Sequence, residues 1–230
     1  MLDLILPRHC PCCDRVMLPQ EDAVCLSCLA VLPRVRAELP GNEVERRLFG
    51  RFPLQHATSF FYYGQHEPFG QIIRSSKFHD RPWLNAHFTR LFVRELQLAA
   101  DASGVPGWPY DIDVIVPIPL HTLRLLMRGY NQSCAIAEEL SRAWHLPLET
   151  GCLYKSRFTT SQVGLSGRER LHHEADSFAV RHPGRLASRH VLLVDDVLTT
   201  GATVVAAADA LMAAVPGVRI SVLTLSFAKS

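Results

Sequence analysis

The sequence predicts an α/β protein: an open, mostly parallel sheet flanked by helices, with a small cysteine-rich module at its N-terminus. Three observations carry that prediction. Beyond about residue 110, short apolar runs alternate with amphipathic stretches, the pattern of strands joined through crossover helices. Runs such as Val114-Ile115-Val116 and Val191-Leu192-Leu193-Val194 are continuous rather than alternating, as in parallel strands covered on both faces. Five of the seven cysteines fall between Cys10 and Cys28, in a stretch without apolar periodicity.

Taken in order, residues 1 to about 34 are rich in Cys and Pro and read as a knuckle unable to build a core of its own. Residues 35 to 55 are charged and irregular, a connector with partial helix around Asn42 to Phe49. This predicts two units: residues 1–50 as cysteine module and connector, and residues 51–230 as the α/β domain. The β-rich run Ala57 to Tyr63 predicts a strand ended by Gly64. Helices are predicted near Phe69 to Lys77 and from Trp83 to Ala102, where Leu84, Phe88, Leu91, Phe92 and Leu96 recur at helical spacing. The Gly- and Pro-rich segment from Ser103 to Pro109 is a break. A strand over Val114 to Val116, a helix over Ser133 to Trp144 and a polar, mobile loop over residues 156–175 follow. The chain closes with a strand over His190 to Val194, a helix over Thr203 to Ala214 and a strand over Val218 to Phe227.

Composition narrows the function. Charged residues make up 20% of 230 and apolar residues 48%, the balance of a soluble globular protein. No window holds the roughly 18 uninterrupted apolar residues of a membrane span. The opening Met-Leu-Asp-Leu-Ile-Leu-Pro lacks the basic start and length of a secretory signal, so a cytoplasmic address is expected. Net charge is only +2, which argues against a dedicated nucleic-acid binder. All but three of the 24 basic residues are arginine, which suits bidentate phosphate contacts and equally suits a GC-rich genome.

The segment Val191 to Thr203 carries the chemistry. An apolar strand runs into the carboxylates Asp195 and Asp196, through Val197 and Leu198, into Thr199-Thr200-Gly201-Ala202-Thr203, and then into an Ala-rich helix. In an open α/β sheet, ligands bind at the carboxyl ends of the strands. A helix-opening turn of hydroxyls and N–H groups can cradle phosphate. Two acids beside such a cradle would repel a bare phosphate, but they suit a ligand that carries sugar hydroxyls next to its phosphate. The alternative is that the acids and threonines only cap the helix. Neither of the two common glycine-rich nucleotide loops is present.

This segment resembles the signature of type I phosphoribosyltransferases, which bind 5-phosphoribosyl 1-pyrophosphate (PRPP). The resemblance implies that Asp195 and Asp196 contact the ribose hydroxyls and that Thr199 to Thr203 hold the 5-phosphate. Val116 to His121, Arg128-Gly129-Tyr130-Asn131-Gln132-Ser133, Gln162, Arg170, Phe178, Tyr63 and the Lys77-Phe78 pair are similar to the ComF family, in its ComFC-like branch. That resemblance implies a zinc module joined to a phosphoribosyltransferase domain, Mg²⁺ accompanying PRPP, and transfer or binding of a 5-phosphoribosyl group. It also implies an association with DNA uptake in competent bacteria, with single-stranded DNA or a competence helicase as partner. Lys77, Arg124, Arg128, Gln162 and Arg170 are then the pyrophosphate and lid candidates. Residues 121–132 hold two arginines and no acid, which suits the pyrophosphate end, although both arginines could equally line solvated surface. Where the family usually places Asn three residues after Arg170, this chain has His173 beside His172.

The cysteines fit Cys10-x2-Cys13 and Cys25-x2-Cys28, two knuckles able to close a tetrahedral Zn²⁺ site. Cys10-x-Cys12 is a rival pairing and His9 an alternative ligand. Residues 1–55 balance seven Arg against seven acids, so a DNA-binding role for the module has no basic excess behind it. A third reading is an adaptor that docks on a partner protein through Leu26, Leu29 and Leu32. Cys134 and Cys152 read as small buried apolar residues.

Overall fold

The computed structural model describes residues 7–36, 41–64, 82–103, 108, 111–120, 125–126, 129–155 and 178–228. A helix over Leu26–Ala30 (α1) and another over Glu43–Leu48 (α2) precede the strand Leu54–Tyr63 (β1). The long helix Pro82–Ser103 (α3), strand Val114–Pro117 (β2) and helix Gln132–Trp144 (α4) follow. A short antiparallel pair, Leu153–Lys155 (β3) and Phe178–Val180 (β4), then leads to strand His190–Leu198 (β5), helix Ala202–Ala214 (α5) and strand Arg219–Ala228 (β6). The helix expected near Phe69 to Lys77 and the polar segment 156–175 lie outside the described residues.

The main sheet has the order β1-β6-β5-β2, every pairing parallel, as the continuous apolar runs predict. Along β5, alternate side chains serve opposite faces. Leu192 and Val194 pack with α3 and α4 residues such as Phe88, Phe92, Ile136 and Leu140. Val191 and Leu193 pack with α2, α5 and the β3–β4 pair, through Val44, Leu48, Val204, Leu211 and Leu153. Helices α4 and α5 therefore leave the adjacent strands β2 and β5 on opposite sides of the sheet, which opens a crevice at the carboxyl ends of those strands.

Several boundaries move. Strand β1 begins at Leu54, not Ala57, but its register is irregular between Leu54 and Ala57, and regular pairing starts where the β-rich run does. Strand β5 does not stop at Val194: it carries Asp195 and Asp196 within it and ends at Leu198. The strands β3 and β4 have three residues each, too short to show periodicity. In that antiparallel pair Lys155 lies opposite Phe178 and Leu153 opposite Val180.

The cysteine module shares its apolar residues with the sheet. Met17, Val24 and Leu32 belong to the cluster of Phe60, Phe61, Phe88 and Phe92. Arg34 ties the two parts together: its guanidinium donates to both carboxylate oxygens of Glu95 on α3, at 2.8–3.1 Å, and to the carbonyls of Leu29 and Leu32. That burial corrects the adaptor reading: Leu32 is interior, Leu29 packs against the core, and only Leu26 is exposed. Among the described residues, no helix is long and apolar enough to cross a membrane.

Candidate functional site

Four thiols converge at the N-terminus. The sulfurs of Cys10, Cys13, Cys25 and Cys28 all lie within 4.8 Å of one another, with Cys13 and Cys25 at 3.7 Å. A tetrahedral Zn²⁺ with Zn–S bonds of about 2.3 Å separates its sulfurs by about 3.8 Å, so the four need contract only slightly around the ion. Four soft donors, none in a disulfide, are the ligand set for zinc. Cys12 is turned into the apolar core, which decides between it and Cys13. His9 instead hydrogen-bonds the Asp14 carbonyl through Nδ1, at 2.7 Å.

The knuckles are shaped by a residue that sequence reading missed. The buried carboxylate of Glu21 accepts N–H bonds from Leu18 and Leu26, each at 2.7 Å, and so fixes the turn that leads into the second cysteine pair. Those two bonds hold its pKa below the ordinary carboxylate value. The thiols are unequal. Burial raises Cys10, but N–H groups of Cys25, Cys12 and Cys13 outweigh it and bring the group down to about 7. Burial pushes Cys28 up and Cys12 up to about 12. A cation taking all four as thiolates displaces protons, which makes its affinity pH-dependent.

The second site lies at the crevice between β2 and β5. Asp195 and Asp196 lie near the carboxyl end of β5, both half-buried, and Thr199 and Thr200 stand exposed beyond it. Asp195 Oδ1 accepts from Ser133 Oγ at 2.9 Å and from the Asp196 N–H at 2.9 Å. Ser133 sits in the first turn of α4, where Asn131 caps the helix through the Ser133 N–H and donates to the Ile118 carbonyl at 3.0 Å. The first turn of α4 and the carboxyl-terminal part of β5 thus meet at the Asp195 carboxylate. Gly201 caps α5 in the left-handed region, at φ +80°, and opens the helix through the Val205 N–H to Gly201 carbonyl bond. A side chain there would also fall 2.8 Å from Leu48 Cδ2 and 3.1 Å from Arg51 Nη1.

Predicted residues divide accordingly. Asp195, Asp196, Val197, Leu198 and Thr199 to Thr203 come together on one strand end and turn, with Ser133 and Asn131 beside them. Lys77, Arg124, Arg128, Gln162, Arg170, His172 and His173 lie outside the described residues. Cys152 is buried as expected, whereas Cys134 is half-buried and accepts an Asn131 Nδ2 contact at 3.3 Å. An open groove of about 370 Å³ between α3 and α4, lined by Arg90, Arg94, Leu98 and Trp144, contains none of the predicted site residues.

The phosphoribosyl transferase domain family matches residues 110–228, just over half the chain. The DNA utilization protein YhgH of Escherichia coli K12 is 30% identical over 203 residues, spanning 88% of this chain and 83% of that protein. Competence protein F of Haemophilus influenzae is 30% identical over 138 residues, spanning 60% of this chain and 58% of that protein. Among solved structures, the glutamine PRPP amidotransferase of B. subtilis, complexed with ADP and GMP, is 19% identical with a TM-score of 0.38, over 65% of this chain and 30% of that one. The adenine phosphoribosyltransferase of Leishmania tarentolae is 12% identical with a TM-score of 0.39, over 66% of this chain and 74% of that one.

Proposed function

The chain belongs to the phosphoribosyl transferase domain family, in the company of the YhgH and competence F proteins, and on that premise we propose that it binds Mg·PRPP at the β5–α5 turn and transfers its 5-phosphoribosyl group. The observation that carries this reading is the sequence of groups along one strand end. The Asp195 and Asp196 carboxylates come first and the Thr199 to Thr203 turn at the start of α5 follows, at the mouth of a crevice between helices on opposite faces of the sheet.

In this reading Asp195 and Asp196 accept bonds from the ribose hydroxyls, and Ser133 holds the Asp195 carboxylate in place. The N–H groups and hydroxyls of Thr199 to Thr203 receive the 5-phosphate. The same carboxylates are hard oxygen donors suited to Mg²⁺, which supplies charge neutralisation for the pyrophosphate. The C1–O bond to pyrophosphate breaks with its electron pair leaving on oxygen, a bond from a nitrogen nucleophile to C1 forms, and the nitrogen's proton passes to solvent. The protein's work is orientation and charge stabilisation rather than general-base catalysis. Lys77, Arg124, Arg128, Gln162 and Arg170 are proposed for the pyrophosphate and the lid. Residues 51–230 hold the groups proposed to touch PRPP; residues 1–50 are the Cys10/Cys13/Cys25/Cys28 zinc module and connector. The location is cytoplasmic, where PRPP and reduced thiols coexist.

Calorimetric titration with Mg·PRPP tests the reading. The parent should bind, and the Asp195→Asn, Asp196→Asn protein should bind at least about tenfold more weakly, because two charge-assisted acceptors are lost. Inorganic phosphate, which meets only repulsion from those acids, should bind the variant no worse than the parent. A double variant that holds PRPP as well as the parent returns both acids to the role of helix caps. DNA binding measured across a salt series separates the accessory-module reading, whose support is the names of the relatives alone.

A further inference from the structure

The turn proposed for the 5-phosphate is held from behind by α2 and the turn after it, a segment the sequence presents as a charged, partly helical connector. Arg47 donates through Nη1 to the Thr199 carbonyl, and Arg51 through Nη1 to the Thr200 carbonyl. Arg47 is itself held: its guanidinium lies over the Phe227 ring, 4.8 Å from the centroid, with Nη2 3.5 Å from the Ala228 carbonyl. Val44 and Leu48 anchor the helix in the core, and Asn42 fastens its start by capping Val44 and Glu45 and donating to the Ala57 carbonyl of β1.

A trans peptide unit is planar, with its N–H pointing opposite to its C=O. An arginine that takes the Thr199 carbonyl therefore aims the Thr200 N–H away from α2, and one that takes the Thr200 carbonyl does the same for the Gly201 N–H. Two consecutive peptides are thus set with their donors on the side facing away from the arginines, the arrangement that receives an anion. The bare Cα of Gly201 lets Leu48 and Arg51 come within the space a side chain would fill. Two guanidinium charges stand behind the same peptides and add to the positive potential on their far side.

We propose that Arg47 and Arg51 are positioning residues for the 5-phosphate. They set the orientation of the Thr199–Thr200 and Thr200–Gly201 peptides without touching the ligand. This rests on the reading of the β5–α5 turn given above, and the test separates the two.

Ribose 5-phosphate is the probe, with calorimetry and the ³¹P shift of the bound phosphate as readouts. Amide exchange at Thr200 and Gly201 in the unliganded protein is a third readout. In the Arg47→Met, Arg51→Met protein, affinity should fall about tenfold or more. The ³¹P shift should move toward that of free ribose 5-phosphate, and the exchange rates of both amides should change. Arg51→Lys, which keeps one charged donor, should recover most of the affinity lost in Arg51→Met, a rescue that a loss of bulk packing would not show. If the double variant does not fold, the two single methionine variants give the same readouts, each at its own peptide. Should the parent fail to bind ribose 5-phosphate and Mg·PRPP, the assigned ligand is wrong, and the exchange measurement alone then decides the brace. Unchanged affinity with unchanged exchange at Thr200 and Gly201 overturns the proposal.

Discussion

At the scale of single residues, the site depends on side chains whose sequence neighbours give no hint of their partners. Gly201 is legible as a turn residue, but the second reason for glycine, the approach of Leu48 and Arg51, comes from residues about 150 positions away in sequence. Gly201→Ala should therefore destabilise the fold by about 1–3 kcal/mol, read from urea unfolding, because it combines left-handed strain with a contact that one partner must relieve. The loss should be larger than for Gly184→Ala, where the added carbon meets nothing. The Ser133–Asp195 bond is of the same kind: Ser133→Ala leaves a carboxylate with one donor fewer, and should weaken Mg·PRPP binding by a few-fold without abolishing it.

At the scale of elements, the cysteine module was readable from spacing, and its attachment was not. Two knuckles predict a closed site, and the four sulfurs meet that expectation; Cys12 could be placed only once its side chain was seen among apolar neighbours. Purified protein should contain about one zinc per chain, and the quadruple Cys→Ser variant none. Because Met17, Val24 and Leu32 pack with Phe60, Phe88 and Phe92, losing the module uncovers the sheet as well. Cys28→Ser, or removal of zinc by a chelator, should lower the unfolding midpoint of the whole protein, not merely release the first thirty residues. An unchanged midpoint would show that the shared cluster contributes nothing to the domain. Within the module, Glu21→Gln keeps the shape but weakens acceptance of the Leu18 and Leu26 N–H groups, and should speed zinc loss to a competing chelator.

At the scale of the whole molecule, the amino ends of the strands carry a buried polar network at the end of the sheet opposite the site. His190 is 2% exposed, with Nε2 2.8 Å from Ser221 Oγ and Nδ1 3.6 Å from Asp111, which is itself paired with Arg219. The His190 N–H donates to Asp113 at 2.7 Å. Burial holds the imidazole below its ordinary value of 6.5, with Arg219 opposing protonation and Asp111 favouring it. The unfolded chain takes up this proton near pH 6.5, while the folded chain resists it until lower pH. Below 6.5 the unfolded state thus binds more protons, and stability falls with pH at up to about 1.4 kcal/mol per pH unit for the group. His87, also lowered by burial, adds in the same direction. Urea unfolding at pH 7.5 and 5.5 should show the loss, and His190→Gln should remove part of the slope; an unchanged slope would assign it elsewhere.

The sequence by itself determined the α/β class, the order of the strands and helices it could recognise, the cysteine knuckles and the acid-then-hydroxyl run on β5. Each of these is a local pattern: apolar runs of strand length, ligand spacing, and a strand–turn–helix passage within thirteen residues. Only the tertiary structure decided the order β1-β6-β5-β2, the crevice between α4 and α5, the shared core of module and sheet, and the contacts of Arg47 and Arg51 on the β5–α5 turn. The physical reason is the same in each case. A parallel sheet pairs strands far apart in sequence, as Phe61 pairs with Ser226, and carbonyls such as those of Thr199 and Thr200 accept any donor brought near. Such contacts leave no periodicity and need no particular residue type beside them in the chain. Arg47 and Arg51 therefore read as ordinary surface charge until the folded chain sets them behind Thr199 and Thr200.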